Sequence, residues 1–394
     1  MKPINKTIEN LKPSGIRKFF DLANTMDNVI SFGVGEPDFD TPWHICENAV
    51  YSLSKGKTHY TANRGLLELR KLISEFQHIR YGQSYDPENE IIVTVGGSEG
   101  IDLAMRTLVE EGDEVIVMDP NYVAYEPAVE MAKAAIVPIT LTEKNEFKLK
   151  PEDLQAAITD KTKAIILNFP SNPTGGVMSK EDYEKLVPII KESGIYVISD
   201  EIYAELTFDG EFASLAQFPE IRDQVIVING FSKAFAMTGW RLGYVLSNPY
   251  LSSQMVKIHQ YIIMSAPTPA QYAAIEALSH GLPDVVAMRA EYLNRRNLLV
   301  SRLNRMGLTT NTPKGTFYVF PNISSTGLDS ETFCARLLEE QRVACVPGNA
   351  FGQHGEGFMR MSYACSLDDI REGCDRIAAF LDSLKTDQSS KKEA

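Results

Sequence analysis

Between Ile91 and Leu246 the chain returns repeatedly to short apolar runs: Ile91–Val95, Val115–Met118, Ala164–Leu167, Tyr196–Ser199, Val225–Ile228 and Tyr244–Leu246. Such runs are too short for buried helices and read as strands covered on both faces. Helical patterns lie between several of them. The clearest begins at Ser179, where Ser179 and Asp182 form a capping box ahead of Leu186, Val187, Ile189 and Ile190. Strand alternating with helix leaves few architectures: an α/β fold with a mostly parallel sheet sandwiched by helices.

Both ends differ from this middle. Residues 1–43 are rich in turn formers, and the stretch after Pro283 mixes helix with short strand-like runs such as Thr316–Phe320. The expected organisation is an N-terminal arm and part of a smaller α+β domain over residues 1–45, a large domain over 46–283, and the rest of the smaller domain over 284–394. In the last helix Ser366 and Asp369 form a cap, and Ile370, Cys374, Ile377 and Leu381 share one face. The polar tail 385–394 reads as disordered.

Composition excludes several classes. The chain has 394 residues, 44% of them hydrophobic, enough for a sizeable core in one large or two medium domains. A net charge of -13 without any cluster of lysine and arginine argues against a nucleic-acid partner. The five cysteines (Cys46, Cys334, Cys345, Cys365, Cys374) are scattered, with no Cys-x-x-Cys pair, so neither a disulfide framework nor a metal site is expected. Residues 1–15 carry charges and prolines where a signal peptide needs an apolar core, and no apolar run has the length of a membrane span. The expectation is a cytoplasmic protein with no membrane anchor.

Chemistry concentrates in the run Gly-Phe-Ser-Lys-Ala-Phe-Ala-Met-Thr-Gly-Trp-Arg from Gly230 to Arg241. The strand Val225–Ile228 delivers Lys233 among small residues, and a partly desolvated amine loses its proton easily and becomes nucleophilic. Arg241, eight positions on, can hold a phosphate through two bonds. An amine for an aldehyde and a cation for a phosphate are what pyridoxal 5'-phosphate requires.

Other segments gain meaning beside this pair. Thr94-Val-Gly-Gly-Ser-Glu-Gly100 follows a strand and opens the helical pattern Ile101–Val109, so its free amides aim at an anion. Alone, such a two-glycine stretch is more often only a turn. Asp200 ends an apolar run and Tyr203 follows three positions later, at the strand end where α/β sheets bind ligands. A carboxylate there can keep a pyridine nitrogen protonated and so sustain an electron sink; equally, it can cap the next helix. Asn172, in Ser171-Asn-Pro-Thr-Gly175, and the Tyr203 phenol can each hydrogen-bond a ring oxygen, although most such turns do nothing else. Arg360 lies between apolar residues in Gly357-Phe-Met-Arg-Met-Ser362 and needs an anion, either an α-carboxylate or a structural salt-bridge partner.

Together these segments resemble the class I aminotransferases of the fold type I pyridoxal phosphate family, especially the bacterial aspartate and aromatic subgroup. The resemblance runs nearly end to end. Gly33-Val-Gly-Glu-Pro-Asp38, His59-Tyr-Thr61, Gly96-Gly-Ser98, Asp119-Pro-Asn-Tyr122, Asn172-Pro-Thr-Gly175, Asp200-Glu-Ile-Tyr203, Ser232-Lys233, Arg241 and Arg360 stand in the family's order. The resemblance implies that Lys233 forms the Schiff base with the cofactor, Asp200 pairs with the pyridine nitrogen, and Asn172 and Tyr203 contact the ring oxygen. Gly97, Ser98 and Glu99 amides, Ser232 and Arg241 would hold the phosphate, and Tyr122 would stack on the ring. Arg360 would bind the substrate carboxylate near Gly35. Tyr60 resembles a tyrosine that reaches the phosphate of the neighbouring subunit, which implies a homodimer with shared sites.

Two departures from the family matter. Some relatives carry a further serine where this chain has Gly230, which removes one phosphate contact. Some aspartate-accepting relatives carry a lysine where this chain has Ser98, which tilts the expectation towards aromatic or broad substrates. Ile16 and Arg17 are expected to close over the substrate. The implied activity is transfer of an amino group from an L-amino acid to a 2-oxo acid, with 2-oxoglutarate the expected acceptor, by a ping-pong mechanism. The rival on the same scaffold is a carbon–sulfur lyase. A dinucleotide-binding reading of Gly33-Val-Gly35 fails because Asp38 stands where a third glycine is needed.

Overall fold

The computed structural model of the chain describes residues 1–11, 13 and 25–393; the expectations for Ile16 and Arg17 lie outside them. A two-residue strand, β1 (Ile30–Ser31), comes first. Each of the six apolar runs then becomes a strand of one sheet: β2 (Ile91–Thr94), β3 (Glu114–Asp119), β5 (Thr162–Asn168), β6 (Tyr196–Asp200), β7 (Val225–Gly230) and β8 (Gly243–Leu246). The seventh, β4 (Ala135–Thr140), did not stand out in the sequence. It is a half-exposed edge strand with Pro138 in its middle, and an internal proline argues against a strand until an edge position explains it.

The order across the sheet is β2-β8-β7-β6-β5-β3-β4. Pairings among β3 to β7 are parallel, whereas β8 runs antiparallel to both β7 and β2. Parallel register fixes what the strand ends present, because Asn168 at the end of β5 lies beside Asp200 at the end of β6. Helices cover both faces, among them Lys180–Ser193, where the Ser179–Asp182 capping box forms as expected.

A separate hydrophobic cluster joins the two ends of the chain. Ile30 and Phe32 pack there with Phe317, Tyr363 and residues of the helices Leu282–Arg305, Ser330–Gln341 and Leu367–Glu393. The small strands β9 (Tyr318–Val319), β10 (Val343–Ala344), β11 (Val346–Pro347) and β12 (Met359–Ser362) belong to this region, with β1 parallel to β10 and β12 between β11 and β9. In the last helix Ile370, Cys374, Ile377 and Leu381 are buried, as their spacing predicts. The tail corrects an expectation: residues after Leu384 continue this helix to Glu393. The segment contains neither proline nor glycine, and adding turns to an established helix costs little compared with nucleating one.

Candidate active site

The site is assembled at the carboxyl ends of the parallel strands. The Asp200 carboxylate is 6% exposed; its Oδ2 accepts from the Tyr125 hydroxyl at 2.7 Å and its Oδ1 from the Ile202 amide at 3.2 Å. Burial pushes its pKa up, while those two donors and nearby Lys233 favour the charged form. Asn168 Nδ2 donates to the Asp200 carbonyl at 3.0 Å, and Asn168 Oδ1 accepts from the Asn172 amide at 3.0 Å. One asparagine thus ties two segments together. Tyr203, also buried, has its hydroxyl 3.1 Å from that of Tyr318, and burial pushes its phenol pKa up.

Lys233 follows β7 directly. Its Nζ donates to the Gly35 carbonyl at 2.6 Å and lies 5.9 Å from the Tyr203 ring centroid and 5.7 Å from that of Phe317. Removal from water pulls its pKa down to about 8; Arg360 and Arg241 assist and Glu36 opposes. Arg241 adopts the left-handed conformation at φ 51° and lays its guanidinium against Gly96, where a Cβ would come within 2.7 Å of Nη2. Gly96 itself has φ 76°, so both space and backbone require glycine there. It starts the helix Gly96–Leu108, whose first-turn residues Gly97 and Ser98 line the same cavity as Arg241.

Arg360 sits on β12, 3% exposed. Its Nη1 donates to Asn172 Oδ1 at 3.0 Å and its Nη2 to the Gly33 carbonyl at 2.6 Å, while its guanidinium carbon lies 4.4 Å from the Tyr318 ring centroid. Among the described residues no carboxylate pairs with it, and its buried Nε has no partner. A buried guanidinium in that state calls for an anion.

Lys233, Asp200, Asn172, Tyr203, Arg241 and Arg360 line one cavity of about 480 Å³. Gly35, Gly97, Ser98, Tyr122 and Ser232 line it as well. Tyr60, expected at the phosphate of a neighbouring subunit, does not line this cavity and is 81% exposed. Glu99, expected to serve through its backbone amide, turns its side chain away from the cavity towards His259. Tyr125, Asn168, Tyr318, Glu36 and Thr238, which are not among the residues expected above, also line the cavity. Asn168 carried a usable signal, since it ends an apolar run just as Asp200 does.

Fold and site define an α/β protein with a desolvated amine, a glycine-rich helix start and two arginines in one cavity. The family model for aminotransferase class I and II matches residues 27–377. The YugH protein of Bacillus subtilis is 50% identical over 374 residues, 95% of this chain and 97% of its own. The aromatic-amino-acid aminotransferase 2 of Thermococcus litoralis is 42% identical over 97% of this chain and 99% of its own. Among solved structures, the aspartate aminotransferase of Thermus thermophilus with maleate superposes with a TM-score of 0.92 at 36% identity, covering 96% of this chain and all 100% of that one. The chain belongs to the class I and II aminotransferases, and it is an aminotransferase. The family implies pyridoxal phosphate, and the residues present fit it: a desolvated amine, a buried carboxylate, a glycine-rich helix start beside Arg241, and an arginine with an unpartnered nitrogen. No helix among the described residues is long and apolar enough to cross a membrane.

Proposed function

We propose that the protein moves the amino group of an L-amino acid, aromatic, aspartate or of broad range, to a 2-oxo acid acceptor such as 2-oxoglutarate, by a ping-pong mechanism. One observation carries this reading: the Lys233 amine, brought down to about 8, shares its cavity with the Asp200 carboxylate and with Arg360, whose charge has no carboxylate partner. When bound, pyridoxal phosphate would supply the electron sink for the reaction. Lys233 moves the proton at the substrate α-carbon as base and then as acid. Asp200 would hold the proton on the pyridine nitrogen, and Asn172 and Tyr203 would hold the ring oxygen. Gly97, Ser98, Ser232 and Arg241 would take the phosphate, and Tyr122 would stack on the ring. Arg360 takes the substrate carboxylate beside Gly35.

Lys233, Arg241 and Arg360 are the cations lining the cavity among the described residues, and each already has a role. Ser98, where some aspartate-accepting relatives carry a lysine, supports aromatic or broad substrates over strict dicarboxylate selectivity. A homodimer and a cytoplasmic setting belong to the same reading. Tyr60 at 81% and Tyr261 at 87% exposure are large aromatic surfaces suited to a partner. The five free cysteines fit a reducing compartment. A division into an arm and small-domain part over 1–45, a cofactor domain over 46–283 and a small domain over 284–394 also belongs to this reading, and the separate cluster around Phe32 and Phe317 supports it.

The test is an absorption spectrum of the purified protein before and after adding single L-amino acids without an oxo acid. The visible cofactor band is expected to vanish as one equivalent of 2-oxo acid appears, and to return with 2-oxoglutarate. A band that persists while pyruvate and ammonia accumulate would mean the lyase, which the aminotransferase relatives disfavour. No band after adding pyridoxal phosphate would overturn the whole reading.

A further inference from the structure

The helix Gly96–Leu108 meets the cavity with its first turn, yet its N-cap residue, Val95, offers no side-chain acceptor. Glu99, in the same turn, supplies one from behind: its Oε2 accepts from the Val95 amide, and its Oε1 lies 2.6 Å from His259 Nδ1. A carboxylate only accepts, so Nδ1 carries the proton. His259 is 0% exposed and belongs to the helix Pro249–Ile262, which packs against the first helix; its Nε2 is buried without a partner. A histidine so buried, with one nitrogen committed and the other unsatisfied, has a cost that its bond to Glu99 must offset.

We propose that Glu99 and His259 form a positioning pair for the phosphate end of the cofactor site. Resting on the pyridoxal phosphate reading above, the pair pins the first turn so that the Gly97 and Ser98 amides converge on the phosphate. It also solves an electrostatic problem. A carboxylate in a helix's first turn suits the helix dipole but repels a phosphate dianion bound there. Turned back onto two donors outside the cavity, the Glu99 charge serves the helix without facing the phosphate.

The test compares pyridoxal phosphate with pyridoxal, which lacks the phosphate, as ligands of the full-length protein freed of cofactor by dialysis. Binding is followed by quenching of tryptophan fluorescence. Glu99→Leu and His259→Leu are expected to weaken pyridoxal phosphate about tenfold, the effect of losing one charge-assisted bond, while pyridoxal binding stays unchanged. Glu99→Gln, which can still accept from Val95 and donate to a histidine of the other tautomer, is expected to restore the phosphate preference. Should Glu99→Leu not fold, His259→Leu decides alone. A preference for the phosphorylated ligand that is the same in wild type and in both leucine variants would overturn the pairing role. A wild type with no preference would overturn the cofactor reading itself and the pair's role with it.

Discussion

Lys233 Nζ donates to the Gly35 carbonyl at 2.6 Å, two residues from the Gly33 carbonyl that accepts from Arg360 Nη2 at 2.6 Å. One short loop thus anchors both the Lys233 amine and the Arg360 guanidinium. The loop approaches so closely that a Cβ at Gly35 would come within 2.8 Å of the Tyr318 hydroxyl. Amine and cation are therefore set in one frame, which is what transfer at a carbon bonded to both an amino group and a carboxylate requires.

The Lys233 amine, brought down to about 8 by burial, is mostly protonated below that pH and free above it. The rate at which the cofactor-free protein captures pyridoxal phosphate should rise by about tenfold per pH unit up to about pH 8 and then level. Stopped-flow absorbance of the growing visible band measures it. Lys233→Ala should form no such band and should abolish turnover. A flat profile below pH 8, or near-normal activity in the alanine variant, would contradict the assignment.

Replacing Arg360 with lysine keeps the charge and removes the planar fork. Losing one of two charge-assisted bonds to the substrate costs roughly 1.5–3 kcal/mol, so KM for the amino acid should rise about ten- to hundredfold. Cofactor affinity should stay within about threefold, because in the proposed arrangement Arg360 would reach the cofactor only through its bond to Asn172. Steady-state kinetics and fluorescence titration separate the two, and equal losses in both would assign Arg360 to the cofactor.

Tyr125 donates to Asp200 from the helix Tyr125–Met131, and this bond offsets part of the rise that burial imposes on the carboxylate. Tyr125→Phe removes the donor and keeps the ring. Asp200 should then hold the ring proton less well, and kcat should fall about tenfold, with KM for the amino acid little changed. A rise in KM at constant kcat would instead place Tyr125 against the substrate.

What the sequence disclosed were features carried by neighbours in the chain. The end of an apolar run exposed Asp200, a strand followed by small residues exposed Lys233, and glycines marked the helix start at Gly96. What it withheld is made by long-range approach. Tyr125 meets Asp200 across 75 positions, Tyr203 meets Tyr318 across 115, and Glu99 meets His259 across 160. No local pattern distinguishes these residues from core aromatics or an ordinary helix carboxylate. Strand β4 escaped for a different reason: Pro138 interrupts its apolar residues, and only its place at the sheet's edge lets a strand tolerate a proline there.

His44 joins three helices away from the cavity. From Trp43–Ser54 its Nδ1 lies 2.8 Å from Glu276 Oε1 on Thr268–His280, and its Nε2 lies 2.9 Å from Asp284 Oδ2 on Leu282–Arg305. Carboxylates only accept, so both bonds exist together only when the ring is protonated on both nitrogens. The Asp284 bond raises the His44 pKa above 6.5, burial opposes it, and Glu276 adds to the rise. Because the folded state keeps this proton at pH values where the unfolded chain has lost it, the stabilisation is fully present below 6.5 and is lost as pH climbs through the folded value. Solvent screening at this partly exposed site limits it to about 1 kcal/mol or less. Glu201, buried and pushed up to about 7, contributes a decline of the same sign below that pH, so the raw melting curve mixes the two. The difference between wild type and His44→Gln isolates the histidine: wild type should melt higher at about pH 6, and the two should converge by about pH 9, where neither chain carries the imidazolium. A difference that does not change with pH would mean that His44 packs but does not pair.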